Sequence, residues 1–220
     1  VHLQNGIRGQ GTASGEEREL GWFDEPWAAD ISRDGRALLF AETGAYGGNL
    51  YAVCLRGMDG SPPLRLGQGS ACSLSPDGKW ALAVHYGPPQ RLLVLPTGAG
   101  DSTSLPRGTI EQYSAASWLP DGKSIVFAGS EAGHAQRTYV QDLEGGLPRA
   151  ISPEGIAGAR VSPDGKSVAA LKELFAIAIA LPIHDIQYGP QGVFITEAFP
   201  GSLRYSGSAL GAHRSFSSMN

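Results

Sequence analysis

The chain has 220 residues and a formal net charge of −4, with no run of lysine or arginine, which speaks against an electrostatic nucleic-acid surface. Glycine (31) and proline (15) are abundant, yet 41% of residues are hydrophobic, so the composition is that of turn-rich, packed β structure and not of a disordered tract. Cys54 and Cys72 are the two cysteines, too few for a disulfide framework, and they read as buried free thiols.

Taken in order, residues 1–26 read as the end of a structural unit. Ala13-Ser14-Gly15-Glu16 supplies a turn, and an outer strand is expected over 17–23. Val1-His2-Leu3-Gln4-Asn5-Gly6 lacks the basic-then-apolar pattern of a secretory leader and has no initiating Met, so a processed chain or a piece of a longer one is expected. An inner strand at 27–32 then leads through Ser32-Arg33-Asp34-Gly35 into an apolar strand at 37–42. A third strand covers 49–56, Met58-Asp59-Gly60-Ser61 turns, and an outer strand lies near 64–67.

The next stretch repeats this plan. Strands are expected at 70–74, 80–85, 91–95 and 103–105 around Ser75-Pro76-Asp77-Gly78-Lys79, then at 114–118, 124–128, 138–143 and 148–151 around Leu119-Pro120-Asp121-Gly122-Lys123. A last copy begins at 158–161 with Ser162-Pro163-Asp164-Gly165-Lys166 and stops matching near Leu171. In each turn Pro pre-sets φ, Asp offers a short hydrogen-bonding side chain and Gly takes the left-handed conformation that reverses the chain. The β-branched, aromatic and leucine residues that follow suit a strand.

Asp34, Asp77, Asp121 and Asp164 are separated by 43, 44 and 43 residues. A period of about 40–45 residues holding four short strands is the mark of a β-propeller. The expected fold is therefore all-β, a propeller of four-stranded antiparallel blades with about four recognisable repeats. The units are 1–26 as the end of a preceding blade, 27–68, 69–113 and 114–156 as blades, and 157–171 as the start of a further one. Residues 172–220 form either a divergent blade or a non-native tail, and the ring is expected to be incomplete. The apolar run from Leu174 to Ile183 is about half the length of a membrane span and reads as a core strand, so no membrane span is expected.

The Ser-Pro-Asp-Gly-Lys units at 75–79 and 162–166, with Leu-Pro-Asp-Gly-Lys at 119–123, resemble the WD-like repeat of TolB-type propellers over residues 13–171. Glu19-Leu20-Gly21-Trp22-Phe23, Ile31-Ser32-Arg33-Asp34-Gly35, Leu66-Gly67-Gln68-Gly69-Ser70-Ala71 and Tyr139-Val140-Gln141-Asp142-Leu143 are similar to the C-terminal propeller of bacterial eukaryotic-like serine/threonine kinases. That resemblance implies a sensor or interaction module attached to a kinase, and an extracytoplasmic, periplasmic location. The same repeats occur in TolB as an envelope scaffold and in prolyl-oligopeptidase-type peptidases as a gating propeller, and fold alone does not choose among them.

The sequence offers no catalytic set. Gly122-Lys123-Ser124 and Gly165-Lys166-Ser167 end like a phosphate loop, but Ser117 and Arg160 occupy the required first glycine. Gly9-Gln10-Gly11 and Gly67-Gln68-Gly69 lack the third glycine of a dinucleotide fingerprint. No Gly-x-Ser-x-Gly elbow and no kinase signature occurs. His2, His85, His134, His184 and His213 have no metal-ligand spacing, so neither metal nor cofactor is expected. The four recurrent aspartates read as turn residues, and the four tryptophans as packing between blades.

In a four-stranded meander the Asp-Gly turns and the second turns share one face of the disk. The longer loops between second and third strands and between blades share the other. This loop face collects Tyr46, His85, Tyr86, Arg107, Tyr113 and His134 around the central channel. Binding residues concentrate on loops held by a rigid scaffold, and Tyr and Arg are favoured in interfaces. The loop face is therefore the expected surface for a protein or small-molecule ligand, with ordinary solvated loops as the alternative.

Overall fold

The computed structural model describes residues 6–10, 17–21 and 24–172, all within the compact unit Val1–Glu173. The tail expected at 172–220 and the strand expected at 174–183 lie outside the described residues, apart from Lys172.

Three of the four Asp-Gly turns are built by the same side-chain hydrogen bonds. In the second copy Ser75 Oγ donates to Asp77 Oδ1 (2.6 Å) and accepts from Trp80 N (3.0 Å), while Asp77 Oδ1 also accepts from Lys79 N (3.1 Å). Ser32 with Asp34 and Ser162 with Asp164 reproduce this arrangement. Leu119 has no hydroxyl, and there Asp121 Oδ1 takes both Lys123 N (2.8 Å) and Ser124 N (3.1 Å). The glycines that reverse the chain have φ of +70° to +72° at 35, 78 and 165 and +67° at 122, a region open to glycine at no steric cost.

These turns join the first two strands of successive antiparallel sheets. β1 (Arg8–Gln10) and β2 (Glu17–Glu19) form a pair. β3 (Pro26–Ile31), β4 (Ala37–Glu42), β5 (Ala52–Gly57) and β6 (Leu64–Gln68) make the first full blade, with a 3₁₀ turn at Gly48–Leu50 between β4 and β5. The second blade is β7 (Ser70–Leu74), β8 (Trp80–His85), β9 (Arg91–Pro96) and β10 (Thr103–Ser104). The third is β11 (Ile110–Trp118), β12 (Ser124–Glu131), β13 (Arg137–Asp142) and β14 (Arg149–Ala150). β15 (Ile156–Val161) and β16 (Val168–Lys172) begin a fourth, and Arg137 and Ile156 bridge the third to it.

Strand periodicity divides the apolar residues between two faces, so the core lies between blades and not at one centre. Leu38 and Phe40 face Leu20 and Ile7, whereas Leu39 and Val53 pack on Leu74, Ala81 and Ala83 of the next blade. Leu82 and Val84 then meet Ile125, Phe127 and Trp118 of the third. Small residues on one face of β8 admit the larger ones opposite. Buried side chains on β5 and β13 fasten the first and third blades to their predecessors. Arg56 donates to the carbonyls of Gly60, Ser61 and, across the interface, Gly21, and Gln141 donates to Gly146 and Pro106. Burial pushes the thiols of Cys54 and Cys72 up to about 11, so they are neutral at physiological pH.

The largest extensions beyond the bounds expected from sequence are in two strands. β11 starts at Ile110 and not 114, and β12 continues to Glu131 and not 128. Pairing persists there through two irregularities in β11, between Ile110 and Gln112 and between Tyr113 and Ala115. A bulge inserts unpaired residues without ending a strand.

Candidate loop-face site

The inner strands β3, β7, β11 and β15 present small residues to the centre of the array. Ala29, Ala71, Ala116 and Ala159 leave a cavity of about 260 Å³, whose polar lining includes Asp30, Ser73, Ser117 and Arg160. These four occupy the same place, four residues before the turn aspartate of their repeat. Asp30 also ties blades together, since its Oδ2 accepts from Leu74 N (2.8 Å) of the neighbouring inner strand. Ser73 Oγ is buried with no partner.

Tyr86 lines this cavity at the loop end. It is 37% exposed and meets Tyr51 edge to face at 5.8 Å between ring centroids. Burial raises the Tyr86 hydroxyl above its ordinary value, against a hydrogen bond with Ser70 that lowers it. Tyr51 has φ 61° and ψ 170°, a conformation essentially confined to glycine and costing about 1–3 kcal/mol elsewhere. It follows the 3₁₀ turn, and its carbonyl accepts from Gly69 N (3.3 Å) where the chain passes to the second blade. Strain of this kind clusters at binding sites and switches.

The other sequence candidates are distributed along the face. Tyr46 is 41% exposed and carries the Arg65 guanidinium 5.4 Å from its ring centre, within reach of a cation–π contact. His85 ends β8, and its Nδ1 accepts from Gly87 N (3.2 Å), which puts the ring proton on Nε2. Glu42, its counterpart one repeat earlier, braces its own loop likewise by accepting from Gly44 N (3.0 Å) and Glu25 N (2.9 Å). Arg107 is exposed in the loop between the second and third blades. His134 Nδ1 lies 2.8 Å from Glu154 Oε1, which Arg137 also engages. The Arg137 guanidinium, followed by His134, holds the Glu154 carboxyl below its ordinary range.

Tyr113 is elsewhere. It lies inside β11, 4% exposed, with its ring 5.2 Å from that of Phe127, and burial pushes its hydroxyl up to about 12. The extension of β11 to Ile110 turns the expected loop position into a core position. The face thus gathers Tyr86 with Tyr51 at the channel and keeps Tyr46 and His134 in separate local clusters. Tyr51, Ser70, Asp30 and Arg160 were not singled out by sequence. Only counting back from each turn aspartate exposes the equivalence of 30, 73, 117 and 160, and nothing in the sequence marks the backbone of Tyr51.

No protein-family model matches the chain. Over 53 residues, 23% of this chain and 8% of the other, it is 36% identical to the uncharacterized peptidase YuxL of Bacillus subtilis (strain 168). The structure is similar to TolB from Acinetobacter baumannii, with TM-score 0.62 and 20% identity over 75% of this chain and 42% of that one. A putative TolB from Agrobacterium tumefaciens gives TM-score 0.57 and 17% identity over 70% and 62%. The Cps50 (Swd1) β-propeller domain of Myceliophteria thermophila gives 0.53 and 16% over 70% and 51%. The chain spans less than two thirds of each of these proteins. Identities this low speak to architecture alone, and they agree with the repeat and the sheets: the chain has the β-propeller fold, in four-stranded antiparallel blades.

Proposed function

We propose that the chain is a non-catalytic propeller module that binds a protein or small-molecule ligand on the loop face, at the mouth of the central channel. The observation that carries this reading is Tyr51, held in a glycine conformation against Tyr86 where Tyr86 borders the channel cavity. Folding pays for that strain without any evident return in packing beyond one aromatic contact, which is what a preorganised contact surface requires. Of Tyr46, His85, Tyr86, Arg107, Tyr113 and His134, the reading rests on Tyr86, with Tyr46 and Arg107 as outlying contacts.

In this reading the module is the sensor or interaction region of a bacterial serine/threonine kinase, supported by the repeat wording at Glu19-Leu20-Gly21 and Ile31-Ser32-Arg33-Asp34-Gly35. A second reading, a gating propeller from a prolyl-oligopeptidase-like serine peptidase, is favoured by the 53-residue match to YuxL. Determining the flanking gene sequence separates them: kinase signatures upstream support the first, and Gly-x-Ser-x-Gly downstream supports the second. The purified chain is expected to show no ATP hydrolysis, kinase or peptidase turnover, and turnover lost on mutating Asp30, Ser73 or His134 overturns the non-catalytic reading. Binding is tested by amide chemical-shift mapping with a library of amino-acid-sized compounds. Shifts at Tyr51, Ser70, Tyr86 and Ser117, abolished in Tyr86→Ala, support the loop-face site, and their absence overturns it.

A further inference from the structure

On the opposite face, between the second and third blades, lies a larger cavity of about 620 Å³. Its walls are the Asp-Gly turns of both blades, and its floor is the apolar cluster that joins them, reached through Leu105 and Val94. Two tryptophans line it: Trp80, 38% exposed, and Trp118, 8% exposed. Both break the repeat. The position of Trp80 holds Ala37, Ser124 and Ser167 in the other copies, and that of Trp118 holds Ile31, Leu74 and Val161. Two independent departures from the repeat converge on one groove.

The charge around this aromatic pair is negative. Asp77, Asp121 and Glu144 all border the cavity. Asp77 is partly answered by Lys79, whose Nζ is 3.9 Å from its Oδ2. Asp121 uses only Oδ1 within its turn, and neither Asp121 nor Glu144 makes an ion pair among the described residues. The Trp118 indole N–H, more than nine-tenths buried, has no acceptor. Aromatic faces with nearby carboxylates favour an organic cation over a neutral molecule. The volume falls within the ordinary range for small-molecule sites, about 300–1,000 Å³.

We propose that this inter-blade cavity binds an organic ammonium ion, a small molecule of the choline class. Trp80 and Trp118 supply the aromatic surface, and Asp121 and Glu144 the charge. The site is separate from the loop-face surface and shares no residue with it.

The probe is choline, with 3,3-dimethylbutan-1-ol as its uncharged isostere, followed by calorimetry and by the indole N–H resonances of the four tryptophans. Choline is expected to bind and to move the Trp118 signal, with the isostere at least tenfold weaker. Trp80→Ala should weaken choline tenfold or more. The strand accepts that change, because alanine stands at the same place in the preceding blade. The double change Asp121→Asn with Glu144→Gln should weaken binding at least threefold and remove most of the preference over the isostere. Should Trp80→Ala fail to fold, the surface change Glu144→Gln alone still tests the charge. The proposal is overturned if choline fails to bind at tens of millimolar, if the isostere binds as well, if either variant binds like the parent, or if a lysine-rich peptide binds here and choline does not.

Discussion

Ser75 shows how much one hydroxyl does in this fold. It is 5% exposed, it donates to Asp77, and it accepts the backbone N–H that opens β8. Ser75→Ala leaves that N–H without a partner and should cost about 1–2 kcal/mol, read as a lower urea midpoint at an unchanged slope. The same hydroxyl bond, followed by the backbone bond from residue 79, lowers the Asp77 carboxyl below its ordinary value, and Asp34 and Asp164 are lowered alike by Ser32 and Ser162. A carboxyl depressed in the folded state contributes stability that is present above the unfolded aspartate value, near 3.9, and is lost as pH falls through the folded value. Stability should therefore decline below about pH 4, and the triple change of Ser32, Ser75 and Ser162 to Ala should flatten that decline in urea titrations between pH 2 and 6. At Tyr51 the opposing terms are backbone strain and one aromatic contact. Tyr51→Ala keeps the strain and loses the ring, whereas Tyr51→Gly relieves about 1–3 kcal/mol of strain against about 0.5–1.5 kcal/mol of aromatic contact. The glycine variant should be the more stable of the two by chemical denaturation, and the reverse order would show that Tyr51 is not strained.

At the scale of elements, the turns form a ladder as well as a set of reversals. Pro76 of the second turn lies against Gly122 of the third, and Pro120 of the third against Gly165 of the fourth, where an added Cβ would come 2.9 Å from Pro120 Cδ. Gly35 has nothing within 4 Å of such a Cβ, although its φ of +70° matches the others. Gly35→Ala should thus cost only the left-handed backbone penalty, about 1–2 kcal/mol. Gly165→Ala should cost more, and equal losses of thermal stability would mean the ladder does not couple adjacent blades. Much of this level was legible in sequence. The repeat fixed the turns, and β4, β7 and β8 have the bounds expected from the turns and the apolar residues beside them. The extension of β11 and β12 was not legible, because bulges interrupt pairing in ways that alternation does not encode. That extension is what removes Tyr113 from the loop face. The braces Arg56 and Gln141 were equally hidden, since polar residues in a strand ordinarily read as its solvent side.

In the whole molecule each apolar cluster joins one blade to the next: Leu20 and Ile7 to β4 and β5, β4 and β5 to β8, and β8 and β9 to β11 and β12. An architecture in which units touch only their neighbours is stabilised by a sum of unit and interface terms, so it can open in parts. Phe127 is the point where a part should be released. It is fully buried, with Tyr113 at 5.2 Å on one side and Tyr139 stacked at 5.3 Å on the other. Phe127→Ala removes the centre of the interface between second and third blades and should cost about 3–5 kcal/mol. Native-state hydrogen exchange should then show the largest loss of protection in β11 to β13, a smaller one in β8 and β9, and little change in β4 and β5, which pack through Leu39 and Phe40 instead. A uniform loss across β4, β8 and β12 would show that the array unfolds as one cooperative body. The same experiment bears on the two proposed sites: the groove beside Trp118 shares the Phe127 cluster and should loosen with it, while Tyr51, on the first blade, should not.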